Sequence, residues 1–271
     1  MKFNIITVTR NSESIFTLLF ELLNTDIFNS NDLHKILIID NNSNEDFKNR
    51  LLPLMLMNEK IKLLERDKNY LYSDSNNFGI KWSIENTPDV EYFVLLNPDI
   101  SAHPLSSDDI FSKIIKEMIE HNADLGSCKL VFNGGLMHGM LDSAGCEGDR
   151  HIGYGMPVQS ICTETNEVSH LDGALMVLSK AIIKDIGILD YINYPHWTSD
   201  TEFGIRANLL GYKAICTPYV LFHECGSAKQ EHHIEATKDL PDGLNPKKNP
   251  TDFFSVYKVA QKNISTKNLL I

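Results

Sequence analysis

Residues 35–43 read KILIIDNNS: an apolar, β-branched run that ends abruptly in Asp40, Asn41, Asn42 and Ser43. A continuous apolar run of this length, without polar alternation, predicts a strand buried on both faces, the pattern of parallel sheets. The exit has the composition of a turn that side chains cap. The same unit recurs on both sides. Upstream, residues 3–8 (FNIITV) are β-rich, Arg10-Asn11-Ser12 turns the chain, and Ile15, Leu18, Leu19, Leu22 and Leu23 follow at helical spacing. Downstream, residues 45–57 carry helical apolar spacing interrupted by Pro53, and residues 61–64 predict a third strand. A polar loop over 67–77 then leads to a helix over 78–85, and residues 91–96 (EYFVLL) predict a fourth strand ending in Asn97-Pro98-Asp99. Strands alternating with helices predict an α/β fold, a Rossmann-like, mostly parallel central sheet with helices on both faces.

In such sheets ligands bind outside the carboxyl ends of the strands. Here those ends carry Thr9-Arg10-Asn11, Asp40 to Ser43, the segment from Asn69 to Asn77, and Asn97-Pro98-Asp99. Each exit alone is an ordinary capped turn, but consecutive polar exits on one edge predict a shared small-molecule cleft.

The second half has a different texture. Residues 110–120 predict a helix, and residues 126–160 are dense in glycine and read as irregular, turn-rich chain. A strand over 174–178, a helix over 180–186 stopped by Gly187, a helix over 202–210 closed by Gly211, a strand over 213–217 and the apolar run 220–223 follow. The remainder is polar, with Pro241, Pro246 and one helix expected over 251–259.

Composition narrows the function. The chain has 271 residues, 42% hydrophobic and 23% charged, with 25 Lys+Arg against 36 Asp+Glu and a formal charge of −11. That is an ordinary soluble composition. The negative field disfavours nonspecific nucleic-acid binding, leaving open only a local basic groove. No apolar run approaches the roughly 20 residues that span a bilayer. Arg10 and Glu13 interrupt the start where a secretory signal needs an uncharged stretch, so a cytoplasmic location is expected. Five cysteines (Cys128, Cys146, Cys162, Cys216, Cys225) without CxxC spacing read as reduced thiols, not a disulfide framework or zinc site. His232-His233 reads as solvated surface.

Some side chains carry candidate chemistry. Asp99, placed just past a strand by Asn97-Pro98, is a turn cap or a ligand for a hard divalent cation that keeps positions open for phosphate oxygens. His223 ends a later apolar run and is a structural histidine or a further ligand. Asp200, at the head of a helix, is favoured there by the helix dipole or acts as a general base. Trp197, three residues earlier, packs against the helix or stacks on a bound ring.

Taken in order, TVTRNS (7–12), IIDNNS (38–43), NYLYSDSNNFGIKWS (69–83), LLNPDI (95–100), DGALMVLSKAIIKDIGILD (172–190), SDTEFGIR (199–206) and FHECGS (222–227) resemble the motifs of family 2 glycosyltransferases, the inverting GT-A enzymes. Within that family the rhamnosyltransferase-like subgroup is the most similar. The resemblance covers about residues 3–228. It implies that residues 1–101 form the nucleotide-sugar-binding half of a GT-A domain, residues 102–228 the acceptor-binding and catalytic half, and residues 229–271 a tail. It implies that Thr9, Arg10, Asp40, Asn69, Asn77, Asn97 and Asp99 bind a UDP- or dTDP-linked sugar donor. Asp99 and His223 would hold Mn²⁺ or Mg²⁺, and Asp200 would deprotonate the acceptor hydroxyl. Asp172, Gly173, Ala174 and Trp197 would line the acceptor site, a surface glycan or lipid-linked glycan by analogy.

The sequence departs from the family pattern at Ser199, where Glu is usual, at Glu202, where Asp is commoner, and at Tyr70 to Ser73, where small residues are usual. A nucleotidyltransferase is disfavoured because TVTRNSES lacks the Gly-rich phosphate loop such enzymes carry after the first strand. A non-catalytic sugar-binding protein of the same fold is disfavoured by the joint presence of Asp99, Asp200 and His223. A transferase acting on a hydroxylated base in DNA fits poorly with the charge. No basic amphipathic helix marks the tail as a membrane anchor.

Overall fold

The computed structural model describes residues 1–56, 58–134, 137–224, 253–267 and 269–270. Cys225, Gly226, Ser227, His232, His233, Pro241, Pro246 and the start of the expected tail helix at 251–252 lie outside the described residues.

The first half alternates as its periodicity predicts: β1 (Phe3–Thr9), α1 (Ser14–Asn24), β2 (Leu33–Asp40), α2 (Glu45–Leu56), β3 (Ile61–Glu65), α3 (Leu71–Asn86) and β4 (Tyr92–Leu96). The second half adds β5 (Ile100–Ala102), α4 (Ile110–Glu120), β6 (Leu125–Phe132) and β7 (Leu141–Ser143). A small hairpin follows, β8 (Cys146–Glu147) with β9 (Arg150–His151), then β10 (Asn166–Val168), β11 (Leu175–Ser179) and α5 (Lys180–Ile186). The chain continues through α6 (Ser199–Leu209), β12 (Ala214–His223) and α7 (Phe253–Thr266).

One sheet runs through both halves in the order β10-β12-β6-β11-β4-β1-β2-β3, with β5 on β12 and β7 on β6. The β4-β1-β2-β3 block is parallel, as is the β6–β12 pair, and β11 lies antiparallel between them. The opening run explains the layers. Successive side chains of a strand point to opposite faces, so Ile36 and Ile38 join the core under α1 and α4 while Leu37 and Ile39 join the core under α3 and α5. No helix among the described residues is long and apolar enough to cross a membrane, and the described cysteines are free thiols.

Several elements depart from expectation. The polar loop over 67–77 is shorter, because α3 already begins at Leu71. Its polar residues face inward and are bonded: the Ser73 hydroxyl donates to the Tyr194 carbonyl at 2.6 Å, and the Ser75 hydroxyl to Asn41 Oδ1 at 3.0 Å. Helix α2 runs through Pro53. The glycine-dense stretch 126–160 contains β6, a strand buried at every position. Gly126 is needed there, since a Cβ would lie 2.6 Å from the Met118 sulfur of α4. The two runs 213–217 and 220–223 are one strand, β12, whose register shifts between Thr217 and Val220. Helix α6 starts three residues earlier than expected, and α7 ends seven residues later.

Candidate active site

The β4 exit and the far end of β12 meet through β5. The Asn97 amide donates to the Ala174 carbonyl at 2.9 Å, and β5 pairs antiparallel with β12 so that Ile100 lies opposite His223. This register brings Asp99 beside His223, with Nε2 to Oδ2 at 3.6 Å. The other imidazole nitrogen, Nδ1, is 2.6 Å from Asp142 Oδ2. Asp142 comes from β7, held against the inner strand β6.

Asp200 sits in the first turn of α6, after Thr198 in a left-handed conformation (φ 62°). Its carboxylate is fixed by backbone donors: Gly173 N–H to Oδ2 and Thr201 N–H to Oδ1, both at 2.8 Å. Gly173 has no room for a side chain, because a Cβ would lie 2.8 Å from Asp200 Oδ2. Asp172 accepts the Ala174 amide at 2.8 Å and lies 3.5 Å from His151 Nδ1. Burial, then the neighbouring Asp172 charge, raise the Asp200 carboxyl above the ordinary carboxylate range. The Tyr72 hydroxyl donates to the Gly173 carbonyl at 2.6 Å, and burial pushes its pKa well up. The rings of His196 and Trp197 stack 5.7 Å apart at 26°.

These groups line one cleft of about 290 Å³, bounded by Tyr72, Asn97, Asp142, His151, Asp172 to Ala174, His196 to Thr198, Asp200 and His223. Of the residues singled out in the sequence, it collects Asn97, Asp172, Gly173, Ala174, Trp197, Asp200 and His223, with Asp99 against His223. Thr9, Arg10, Asp40 and Asn69 lie at the neighbouring β1, β2 and β3 exits, and Asn77 lies within α3. Thr9 is buried and its Oγ1 has no hydrogen-bond partner among the described residues, as is also true of Arg10 Nε. Such orphans are rare in folded proteins and suit a bound ligand. Asn69 Oδ1 accepts from Asn41 Nδ2 at 2.7 Å and from the Leu71 amide at 3.0 Å.

Two further donor-site candidates bond within the protein itself. Asn77 is not brought to the cleft. Its amide group donates to the Leu189 carbonyl at 2.9 Å and accepts the Leu189 N–H at 3.0 Å, so it ties α3 to the chain after α5. Asp40 is at the predicted exit, but its carboxylate is fully buried and accepts the Ser43 amide at 3.1 Å; burial raises its pKa. Asp142, His151 and His196 were not visible as site residues in the sequence. Asp142 and His151 fall in the glycine-dense stretch, where spacing carries no periodic signal.

Below the cleft, α6 rests on a buried polar network. Arg206 Nε and Nη2 donate to Glu202 at 2.9 and 3.0 Å, its Nη2 also to the Ile188 carbonyl at 2.8 Å, and its Nη1 to the Ile186 carbonyl. Asn263 of α7 donates to Glu202 at 2.9 Å and to Asp190 at 2.8 Å.

Among the described residues no group of three or more His, Cys, Asp or Glu side chains is arranged to hold an ion. Asp99 and His223 nevertheless fit a hard divalent cation as a pair. One carboxylate oxygen faces one imidazole nitrogen, and further positions would fall to oxygens of a bound ligand.

The fold is that of the GT-A glycosyltransferases: a mixed α/β sheet flanked by helices, with the site at its carboxyl edge. No family model and no curated protein sequence matches the chain. Solved structures do. It is similar to GalNAc-T7, solved with UDP, GalNAc and Mn²⁺ (TM-score 0.65, 11% identity, covering 97% of this chain and 54% of that one). It is also similar to Staphylococcus aureus TarS 1–349 in complex with UDP-GlcNAc (TM-score 0.61, 17% identity, 97% and 66%). A third is the mannosyltransferase PcManGT of Pyrobaculum calidifontis in complex with GDP-Man and Mn²⁺ (TM-score 0.58, 12% identity, 98% and 74%). The chain thus spans about half the length of GalNAc-T7.

Proposed function

We propose that the protein is an inverting, metal-dependent glycosyltransferase of the family 2 type that moves a sugar from a nucleoside diphosphate sugar to a hydroxyl of a glycan or lipid-linked glycan. One observation carries the reading: a single cleft is lined by a half-buried, backbone-anchored carboxylate, Asp200, and by His223, which has Asp99 beside it. The donors named with the solved neighbours, UDP- and GDP-linked sugars and Mn²⁺, support it.

In this reading Thr9, Arg10, Asp40 and Asn69 surround the base and ribose, with the orphaned Thr9 Oγ1 and Arg10 Nε supplying hydrogen bonds to it. Asn97 holds the ribose. Asp99 and His223 would hold Mn²⁺ or Mg²⁺, which when bound offsets the negative charge that grows on the leaving diphosphate. Asp172, Gly173 and Ala174 leave room for sugar and acceptor, and the Trp197 ring offers an apolar face to the acceptor. Asp200 takes the acceptor proton as the new bond from that oxygen to the anomeric carbon forms, the bond to the diphosphate oxygen breaks, and the configuration inverts. Gly173 and Thr201 each hold one carboxylate oxygen, so the base keeps its aim. Its raised pKa makes it a stronger proton acceptor than an exposed aspartate.

The test is a thermal-shift panel of UDP, dTDP, GDP and CDP, each with and without Mn²⁺. Ligands that bind the native state raise the melting temperature by mass action. The expected result is stabilisation by one nucleotide, enlarged by Mn²⁺ in the wild type and not in Asp99→Ala. No shift with any nucleotide would overturn the reading in favour of a non-catalytic protein of the same fold.

A further inference from the structure

We propose that Asp142 is a positioning residue that holds a hydrogen of the His223 imidazole on Nδ1, so that Nε2 is the nitrogen turned toward Asp99. The inference rests on the metal-dependent reading above and deepens it by assigning a residue that none of the sequence motifs contained.

A neutral imidazole carries one N–H, and the partner of one nitrogen decides what the other can do. The Asp142 carboxylate can only accept, and it lies 2.6 Å from Nδ1. Nδ1 therefore carries a hydrogen, which leaves Nε2 as the nitrogen that can ligate a cation. What Nε2 faces is another acceptor, Asp99 Oδ2, at 3.6 Å. The carboxylate oxygen and the imidazole nitrogen turned toward each other at this distance are the donor pair that the proposed function assigns to the cation. A carboxylate behind a ligating histidine fixes ring orientation and raises ligand basicity. Both partners are deeply buried, Asp142 at 6% and His223 at 5% exposure, so solvent does not compete for the contact.

The backbone makes the contact rigid. Asp142 is the middle residue of β7, which pairs with β6, and β6 pairs in parallel with β12 so that Phe132 lies opposite His223. The Asp142 carbonyl lies 3.2 Å from His151 Nδ1, and the same ring nitrogen is 3.5 Å from Asp172. One residue thus touches the histidine on the Asp99 side of the cleft and the histidine on the Asp200 side.

The experiment uses the full chain and two readouts. Mn²⁺ binding is measured with the metal alone by electron paramagnetic resonance of the free ion. Asp142→Leu is expected to weaken binding 10–100-fold. Asp142→Asn, whose Oδ1 still accepts from Nδ1, is expected to stay near the wild type. In a His223→Ala background Asp142→Leu is expected to add no further loss, as a coupled pair requires. The second readout needs no metal: long-range ¹H–¹⁵N spectra of the imidazoles at pH 8, with His223 assigned as the signal missing from His223→Ala. The wild type and Asp142→Asn should show the Nδ1–H form, and Asp142→Leu a shift to the Nε2–H form or a mixture. A wild-type His223 protonated on Nε2 or on both nitrogens would overturn the proposal, as would an equal loss from Asp142→Leu with and without His223. If the wild type binds no Mn²⁺, the metal-dependent reading fails, while the tautomer still decides the role of Asp142.

Discussion

Replacing Arg206 with Met tests whether the network beneath α6 holds the helix that carries Asp200. Arg206 is 1% exposed and its side chain makes two hydrogen bonds to Glu202 and one each to the carbonyls of Ile186 and Ile188. Met fills much of the same volume but leaves Glu202, itself at 0% exposure, with Asn263 as its remaining side-chain donor. Breaking a buried ion pair from one side costs about 3–5 kcal/mol, because the surviving charge stays desolvated. Against a typical total of about 5–15 kcal/mol, this takes away a large share of the stability. At about 2–4 °C per kcal/mol for a chain of this size, the melting temperature should fall by about 6–20 °C. Urea denaturation followed by circular dichroism, with the thermal midpoint alongside, measures it. Adding Glu202→Gln to the same chain should recover at least ~1 kcal/mol, since the uncompensated charge is gone. A loss under about 1 kcal/mol for Arg206→Met alone, the range of ordinary surface substitutions, would refute the assignment of the network as the support of α6.

Gly173→Ala places a methyl 2.8 Å from Asp200 Oδ2, about 0.6 Å inside ordinary contact; with Asp200, the proposed base, displaced, transfer should fall on the order of 100-fold, while the overpacking costs about 1–3 kcal/mol of stability and leaves the chain folded. Retention of more than half the initial rate would remove Gly173 as the group that aims Asp200. Asp200→Asn should abolish transfer with nucleotide affinity kept within a few-fold. The same variant has a pH signature: the folded pKa of Asp200 is raised, so its contribution to stability is present below the unfolded value and is lost as pH rises through the folded one. Asp200→Asn should therefore melt above the wild type at neutral pH, with the gap closing in acid; a gap that is constant with pH would contradict the buried setting of the carboxylate.

The parts of the fold that were legible in the sequence are those whose side chains alternate between two apolar layers. The run Ile36 to Ile39 shows its buried strand without help, and its polar exit marks where the cleft would lie. Strand β6 was hidden because its interior includes Gly126, Ser127 and Lys129, whose ammonium is satisfied by the Val158 carbonyl at 3.1 Å, a partner 29 residues away. The first turns of α3 were hidden because serine and asparagine fill positions where an amphipathic helix would show leucine. The setting of Asn77 was hidden for a related reason: an asparagine beside a strand exit has the same local pattern whether it meets a ligand or, as here, the backbone of Leu189. Asp99, Asp200 and His223 stood out because each follows a recognisable element boundary. Asp142 lies in a three-residue strand whose meaning comes only from its pairing with β6.

The docking of α7 on α6 ties the order of synthesis to the order of assembly. Asp200 is translated more than sixty residues before Asn263, yet the helix that carries it is anchored through Glu202 to that later asparagine. A nascent chain that has exposed the whole sheet still lacks this anchor, so α6 gains its last described buried hydrogen bond only when α7 has emerged and packed. A product cut short just before Asn263 would retain the described groups that line the cleft and lose part of what holds one of them in place.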